Sequence, residues 1–260
     1  MSAIGMGTLR TFDVTSEEDI AVRQEIVDSC IASQVNFIDT AAWYGNAEKV
    51  VGVTTLGRRD KFYLATKVRC EGKEVGEAQI ARSFELLNTD YIDLFQIQNM
   101  IDWDTHLPTL ERLKEQGKIG MVGVTAMVHE AYPIIADLMR AGRIDTVQIP
   151  YNVMERGCEA QLLPLAEECG VGILVMEPLK KGRLVKELKT QPDLTPLQEF
   201  GIHTWAQALL AWVLGDSRVS VTIPATSRPE RMHENAEAGA AGRLPQELRD
   251  YVRAEMERCL

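Results

Sequence analysis

The chain has 260 residues, of which 45% are hydrophobic and 25% are charged, and its formal net charge is −10 at pH 7. These values are ordinary for a soluble globular protein and allow one large α/β domain or two small ones. The negative charge argues against general affinity for nucleic acid or anionic membranes, and no apolar run approaches the ~20 residues of a membrane span.

Apolar runs of strand length alternate along the chain with stretches of helical periodicity. The predicted strands are Ile4–Thr8, Asn36–Thr40, Phe62–Val68, Ile92–Asn99, Met121–Ala126, Thr146–Asn152, Val171–Pro178 and Ser220–Thr226. The predicted helices are Ser16–Ser33, Ala47–Leu56, Glu77–Leu87, Thr105–Gln116, His129–Ala141, Glu159–Glu168, Thr204–Leu214 and Pro229–Ala240. A polar segment, Lys180–Glu199, is predicted to be a long loop or an irregular insertion after the seventh strand, and Gln246–Glu257 a final helix.

Strands that alternate with helices indicate parallel βαβ units, and eight such units in about 250 residues are typical of a (β/α)₈ TIM barrel. Many of the strands are apolar on both faces, as strands between a core and an outer helical layer must be. A doubly wound sheet is the alternative, but it normally carries a G-x-G-x-x-G fingerprint, which this chain lacks. The prediction is therefore one α/β barrel domain over residues 1–260.

The cysteines and the N-terminal residues help to predict the cellular compartment of the protein. Cys30, Cys70, Cys158, Cys169 and Cys259 are scattered and include no C-x-x-C pair, so we expect reduced thiols in a cytoplasmic protein. The four histidines show no metal-ligand spacing. The N-terminus lacks the basic start and long apolar core of a signal peptide, and it enters an apolar stretch so early that loss of an N-terminal piece is one interpretation.

Barrel chemistry gathers where the strands end, so the polar residues at those positions are the candidates for a site. Asp39 ends the second strand and Lys67 lies near the end of the third, which makes an ion pair between them easy to form. Such a pair is a poor stabiliser, because desolvation can cancel the attraction. Neutralisation of two buried charges, with Tyr44 merely packing nearby, remains the structural alternative.

Tyr44 follows Asp39 in a loop closed by Gly45 and can reach the same place. A neighbouring ammonium favours a phenolate, so we expect Lys67 to lower the pKa of Tyr44 from ~10 toward neutrality. A phenol of that kind is a proton donor suited to a carbonyl oxygen. Asp39 then keeps Lys67 charged.

Seven segments, in order and nearly end to end, resemble the aldo-keto reductase superfamily. They are GMGTLRTFD, FIDTAAWYGNAEKVVG, YLATKV, YIDLFQIQN, GKIGMVGVT, QIPYNVMER and IPATSRPERMHENA. The resemblance implies reduction of a small-molecule aldehyde or ketone with NADPH on a (β/α)₈ barrel, without a Rossmann fold.

The resemblance also implies roles for individual residues. Tyr44 becomes the general acid, Lys67 the group that tunes it and Asp39 the partner of Lys67. Expected cofactor contacts are Gly7, Thr8, Thr125, Gln148, Met176, Pro178, Leu179, Thr226, Ser227, Arg228, Arg231, Glu234 and Asn235, with the two arginines near the adenosine 2′-phosphate. Leu9, Trp43 and Trp103 are expected at the substrate mouth, and Arg10 is a further residue there that could attract an anion.

Three positions depart from the family pattern. Met176 stands where many members place an aromatic ring against the nicotinamide, so softer packing would replace stacking there. Ala225 stands where many members carry lysine, which weakens the preference for NADPH and leaves NADH possible. Gln98 stands where members usually have a histidine that orients the substrate carbonyl; glutamine keeps an N–H donor but cannot become a cation.

Three outcomes of Gln98 stay open: carbonyl reduction with a neutral donor, redox chemistry on a different bond, or a low-turnover NADP(H)-binding sensor or partner subunit. A Schiff-base lyase using Lys67 is a further alternative. We expect no metal and a monomer or small homo-oligomer.

Overall fold

The computed structural model describes all residues 1–260 and contains one sheet of eight parallel strands. The strands are β1 (Met6–Gly7), β2 (Phe37–Asp39), β3 (Tyr63–Val68), β4 (Ile92–Ile97), β5 (Ile119–Thr125), β6 (Thr146–Pro150), β7 (Gly172–Met176) and β8 (Val219–Thr222). Each strand pairs in parallel with the next in sequence. Parallel bridges Ile4–Thr222 and Gly7–Ala225 join the last strand to the first. The predicted (β/α)₈ barrel is confirmed.

Helices follow the strands in the order expected for βα units. They are α1 (Glu17–Ala32), α2 (Ala47–Thr54), α3 (Lys73–Leu86), α4 (Trp103–Glu115), α5 (Tyr132–Arg140), α6 (Leu162–Cys169), α7 (Arg183–Lys186), α8 (Trp205–Leu214), α9 (Pro229–Ala240) and α10 (Gln246–Cys259). Local caps define several ends: Ser16 accepts a hydrogen bond from the Asp19 N–H at the start of α1, and left-handed Gly170 ends α6. No helix combines the length and apolar character that crossing a bilayer requires.

Some boundaries differ from the sequence predictions. The first and last strands are shorter, since only Met6–Gly7 and Val219–Thr222 keep a continuous ladder. The segment predicted to be a long loop or an irregular insertion is an irregular one, which contains α7 and two 3₁₀ turns, Lys180–Gly182 and Thr195–Phe200. Helix α3 starts at Lys73, four residues early, because Gly72 at φ 86° lets the chain turn into the helix and its N–H donates to Asp102.

The barrel interior is divided along its axis. Apolar side chains from six positions form a small cluster apart from the main core: Phe37, Ala65, Leu94, Leu174, Val221 and Ile223. The main core of 60 buried residues includes outward-facing neighbours such as Ile38, Leu64 and Phe95. Because side chains alternate along a strand, positions two residues beyond Phe37 and Ala65 point inward again, and these are Asp39 and Lys67. The apolar layer therefore supports a polar layer at the carboxyl ends of the strands.

Candidate active site

The predicted ion pair between Lys67 and Asp39 forms inside the barrel. Lys67 Nζ donates to Asp39 Oδ2 at 2.6 Å and to the Thr40 carbonyl at 2.8 Å. The two side chains are only 2% and 3% exposed. Burial alone would lower the pKa of Lys67, but Asp39 and Tyr44 outweigh burial, so that the pKa is raised above its ordinary value. The ammonium is therefore held charged in a site closed to solvent.

Two glutamine side chains complete the surroundings of the Asp39 carboxylate. Gln96 Nε2 donates to Oδ1 at 3.2 Å and Gln148 Nε2 donates to Oδ2 at 3.3 Å. The three residues come from the alternate strands β2, β4 and β6, which is how a barrel builds one interior layer. Gly123 leaves space for Gln96, because a Cβ there would lie 3.1 Å from Gln96 Cγ. Sequence reasoning missed Gln96 because its β4 strand reads as an apolar run.

Gln148 was expected at the cofactor, but in this structure its amide N–H is used by Asp39. The carbonyl oxygens of Gln148 and Gln96 are both buried without a hydrogen-bond partner. A buried oxygen of this kind is an acceptor for an N–H group brought into the barrel mouth. The unpaired oxygen of Gln148 is therefore the atom that fits an N–H of a carboxamide ligand.

Tyr44 lies on the loop between β2 and α2, next to this charged layer. Lys67 Nζ is 5.1 Å from the centre of the phenol ring. Burial raises the pKa of Tyr44, and the opposing effect of Lys67 is not large enough to reverse it. The prediction that this pKa falls toward neutrality is therefore wrong, since loss of hydration exceeds the attraction of the ammonium. The hydroxyl keeps its proton at neutral pH.

The turn after β4 brings Gln98 and Asn99 to the same end of the barrel. Gln98 is 8% exposed, and its Oε1 is buried without a partner. Asn99, in the left-handed region at φ 55°, donates its backbone N–H to Thr125 Oγ1 at 2.9 Å, and Thr125 donates to Asn99 Oδ1 at 3.3 Å. Thr125 was expected to contact the cofactor, but in this structure its hydroxyl is hydrogen-bonded to Asn99. Asn99 is a residue that sequence reasoning did not assign to the site.

The first strand lies directly beside the end of the last one. Gly7 donates its N–H to the Pro224 carbonyl at 3.0 Å, and a Cβ on Gly7 would lie 2.9 Å from the Ile223 carbonyl oxygen. Thr8 is fully buried and its hydroxyl donates to the Asp39 carbonyl at 3.0 Å. Thr8 therefore holds the two loops together through the one hydrogen that its hydroxyl can donate.

Helix α9 begins close to that junction and presents unpaired cations. Thr226 Oγ1 accepts the Arg228 backbone N–H at 3.1 Å, which shapes the turn into the helix. The side chains of Arg228 and Arg231 are exposed and form no ion pair. Two free guanidinium groups at a helix N-terminus fit a phosphate dianion.

The other residues that were expected to contact the cofactor differ in how far they are exposed to solvent. Asn235 and Pro178 are buried, Met176 and Leu179 are half-buried against apolar clusters, and Ser227 is exposed. Glu234 accepts a hydrogen bond from Thr204 Oγ1 at 2.6 Å, which ties α9 to the start of α8. Glu234 therefore has a structural partner already.

The mouth of the barrel is formed by loops that carry exposed side chains. Trp43 is 65% exposed, and the Arg69 guanidinium carbon lies 4.4 Å from the centre of its ring. Leu9 and Arg10 are exposed on the first loop, as expected. Trp103 was expected on a loop, but it is the first residue of α4 and is half-buried against the main core. Arg69 is a mouth residue that sequence reasoning missed.

The chain is similar to known proteins in both sequence and fold. The model of the Aldo/keto reductase family matches residues 3–255. Methylglyoxal reductase YeaE of Escherichia coli is 30% identical over 244 residues, which cover 91% of this chain and 84% of that protein. An NADH-specific methylglyoxal reductase of Escherichia coli is 24% identical over 302 residues, covering 92% of this chain and 90% of that protein. The crystal structure of an aldo-keto reductase from Klebsiella pneumoniae in complex with NADPH is similar with a TM-score of 0.83 and 28% identity, covering 98% of this chain and 90% of that one.

Proposed function

Because this chain belongs to the aldo/keto reductase family, we propose that it reduces a small aldehyde or ketone to an alcohol with NADPH, and that Tyr44 donates the proton. The observation that carries the proposal is the buried Lys67–Asp39 pair, with Nζ 2.6 Å from Oδ2, beside the Tyr44 ring. A desolvated charge pair contributes little to stability. Its position next to a phenol gives it a chemical use.

The cofactor supplies a hydride to the carbonyl carbon, and this chain supplies the proton and the charges around it. Tyr44 holds a proton at neutral pH, because burial raises its pKa. As negative charge develops on the carbonyl oxygen, the phenol donates its proton and itself becomes an anion. Lys67 lowers the cost of that anion, and Asp39 keeps Lys67 charged throughout.

Gln98 is the residue proposed to orient the carbonyl from the opposite side. Its side-chain amide can donate a neutral hydrogen bond to a carbonyl oxygen, whereas histidine at this position can donate as a cation. The reaction then depends on Tyr44 for the whole of its acid catalysis. Reduction is expected to be slower than in a histidine variant, with one fewer titrating group in its pH profile.

The cofactor preference rests on Arg228 and Arg231. Their unpaired side chains suit the 2′-phosphate that distinguishes NADPH from NADH. Ala225 supplies no cation to this phosphate, so the discrimination is expected to be modest and NADH to remain a usable cofactor. The buried oxygen of Gln148 is proposed to accept the carboxamide N–H of the nicotinamide.

The substrate class follows from the mouth and from the relatives. The loops that connect β3 to α3 and β4 to α4 span only residues 69–72 and 98–102, and one relative is named for methylglyoxal. A small, reactive carbonyl compound such as a 2-oxoaldehyde is the proposed substrate.

The test is NADPH oxidation in the presence of methylglyoxal, followed at the absorbance of the reduced cofactor. Tyr44→Phe removes only the hydroxyl and is expected to lower kcat by at least about 100-fold, the range of general acid catalysis. Tyr63→Phe is the matched control, because Tyr63 starts β3 at the opposite end of the barrel and is exposed. Equal rates for wild type and Tyr44→Phe would contradict the assignment.

A low-turnover NADP(H)-binding subunit is the second candidate, favoured by Gln98 alone. It predicts cofactor binding, seen as quenching of protein fluorescence, with no reduction of any carbonyl compound by wild type. A Schiff-base lyase is disfavoured, because the raised pKa of Lys67 leaves its nitrogen protonated and without a free electron pair.

A further inference from the structure

Arg69 stands at the mouth of the barrel without a carboxylate partner. It is the first residue after β3 and lies two residues after Lys67. Its guanidinium lies over a tryptophan, with Cζ 4.4 Å from the centre of the Trp43 ring. The exposed tryptophan thus fixes the position of the cation and leaves the guanidinium N–H groups without an acidic acceptor.

The backbone of Arg69 is anchored as well. Its N–H donates to Gln79 Oε1 at 2.6 Å, and Gln79 Nε2 donates back to its carbonyl at 3.4 Å. Gln79 belongs to α3, so one side chain attaches both polar groups of this loop residue to a helix. A cation held by a stacked ring and by a helix is positioned in advance, which reduces the entropy lost when it binds a ligand.

Arg69 also lies close enough to the catalytic residues to act on the same substrate. Its charge is among those that lower the pKa of Tyr44, against the larger effect of burial. Trp43, which it covers, is the residue directly before Tyr44. A molecule with its carbonyl at Tyr44 therefore has Arg69 within reach of a group further along its skeleton.

In a protein with a negative net charge, a cation without a carboxylate partner indicates a site for an anionic ligand. A chain with net charge −10 repels anions at long range, so binding of an anionic substrate needs a local cation. Most arginines of the structure that are half-buried donate to a carboxylate, as Arg143 does to Glu111 and Arg218 does to Asp216. Arg69 instead keeps its planar set of donors for a ligand.

We propose that Arg69, stacked on Trp43, is an anion subsite, and that the site favours aldehydes or ketones that carry a carboxylate over neutral ones of the same shape. The inference rests on the proposed function, since it takes the reacting carbonyl to bind at Tyr44. It adds to the proposed function a preference, among small carbonyl compounds, for those that also carry a carboxylate. The guanidinium binds the carboxylate through paired N–H donors while Trp43 covers the intervening carbon atoms.

The test compares 4-formylbenzoate with its neutral amide, 4-formylbenzamide, which has nearly the same shape. Wild type is expected to have the larger kcat/KM on the carboxylate, and added salt is expected to reduce that preference. Arg69→Gln is expected to lower the ratio of the two kcat/KM values about 10-fold, mainly through KM, as loss of a charge-assisted hydrogen bond does. Arg69→Lys is expected to recover part of the ratio, because it keeps the charge and loses the planar donors.

Arg253→Gln is the matched control, because Arg253 is also exposed and unpaired but lies on α10. The ratio is expected to stay at the wild-type value in this variant. An unchanged ratio in Arg69→Gln, or an equal change in Arg253→Gln, would overturn the subsite.

Failure of the proposed function is distinguishable from failure of the subsite. If wild type reduces neither methylglyoxal nor these two aldehydes, the reductase assignment fails, and the subsite is then measured by binding alone. Titration calorimetry with benzoate and benzamide, on the cofactor-loaded protein, is expected to show benzoate bound about 10-fold more weakly by Arg69→Gln. Equal affinity of wild type and Arg69→Gln for benzoate would contradict the anion subsite, whether or not either protein reduces an aldehyde.

Discussion

Replacing Asp39 with asparagine is expected to destabilise the protein strongly and to make its stability depend on pH in a new way. The substitution keeps the shape of the side chain but removes the charge that faces Lys67 at 2.6 Å. Since Lys67 is only 2% exposed, its ammonium is left without a counter-charge in a dry site. Breaking a buried pair from one side costs about 3–5 kcal/mol.

The sign of the pH dependence follows from the direction of the Lys67 pKa. In wild type this pKa is raised above 10.5, so the stabilisation is fully present below pH 10.5 and is lost as pH rises through the folded-state value. In Asp39→Asn, burial dominates and the folded-state pKa falls below the unfolded one. The free energy of unfolding of the variant then rises with pH toward 10.5, by at most about 1.4 kcal/mol per pH unit. If Asp39→Asn destabilises the protein by about 3 kcal/mol, the folded-state pKa of Lys67 is about two units below its unfolded-state value.

Urea unfolding at about pH 7 and about pH 9.5 measures the effect directly, because the linear extrapolation gives a free energy of unfolding at each pH. The double variant Asp39→Asn with Lys67→Met is expected to be more stable at pH 7 than Asp39→Asn and to lack the added pH dependence, because no buried ammonium remains. Lys114→Met is the matched control: it breaks an ion pair of the same 2.6 Å length to Asp145, with side chains 41% and 34% exposed. That change is expected to cost about 1 kcal/mol or less.

The reasoning is refuted if Asp39→Asn costs no more than Lys114→Met and its stability has the same pH profile as wild type. Such a result would mean that water reaches Lys67 despite its burial, and the account of Tyr44 as a phenol in a dry, charged site would fail with it.

Two further predictions concern Gln98 and the arginines of α9. Gln98→His is expected to raise kcat for aldehydes about 10-fold, because it adds a second acid, and to add a titrating group near the ordinary histidine pKa; a rate and pH profile equal to wild type would contradict its place beside the carbonyl. Arg228→Gln and Arg231→Gln are each expected to weaken NADPH binding about 10-fold and NADH binding far less, as measured by fluorescence titration. Equal weakening of NADPH and NADH binding would show that these arginines do not bind the 2′-phosphate.

The main features of the fold were predictable because they depend on local and periodic signals. Apolar runs that alternate with amphipathic stretches indicate parallel strands covered by helices, and the count of eight sets the closure of the barrel. The ends of short strands were less predictable. Residues such as Ile223 and Thr226 keep an apolar or β-branched character after the ladder has ended at Thr222.

The pairing of Asp39 with Lys67 was also predictable, since neighbouring parallel strands end at the same edge and an inward position recurs every second residue. The partners of these two residues were not. Gln96 and Gln148 reach Asp39 from strands β4 and β6, and no spacing in sequence indicates which oxygen of a carboxylate an amide will meet.

The sequence by itself determined the order of strands and helices, the family of the chain and the identity of its central carboxylate, ammonium and phenol. Only the tertiary structure decided the direction in which the pKa of Tyr44 is shifted, the hydrogen bonds between Thr125 and Asn99, and the contact of Arg69 with the Trp43 ring. The physical reason is that periodicity and residue type are properties of a local segment. Desolvation and the partners of a polar group depend instead on which distant segments surround it, and those are set only when the barrel closes.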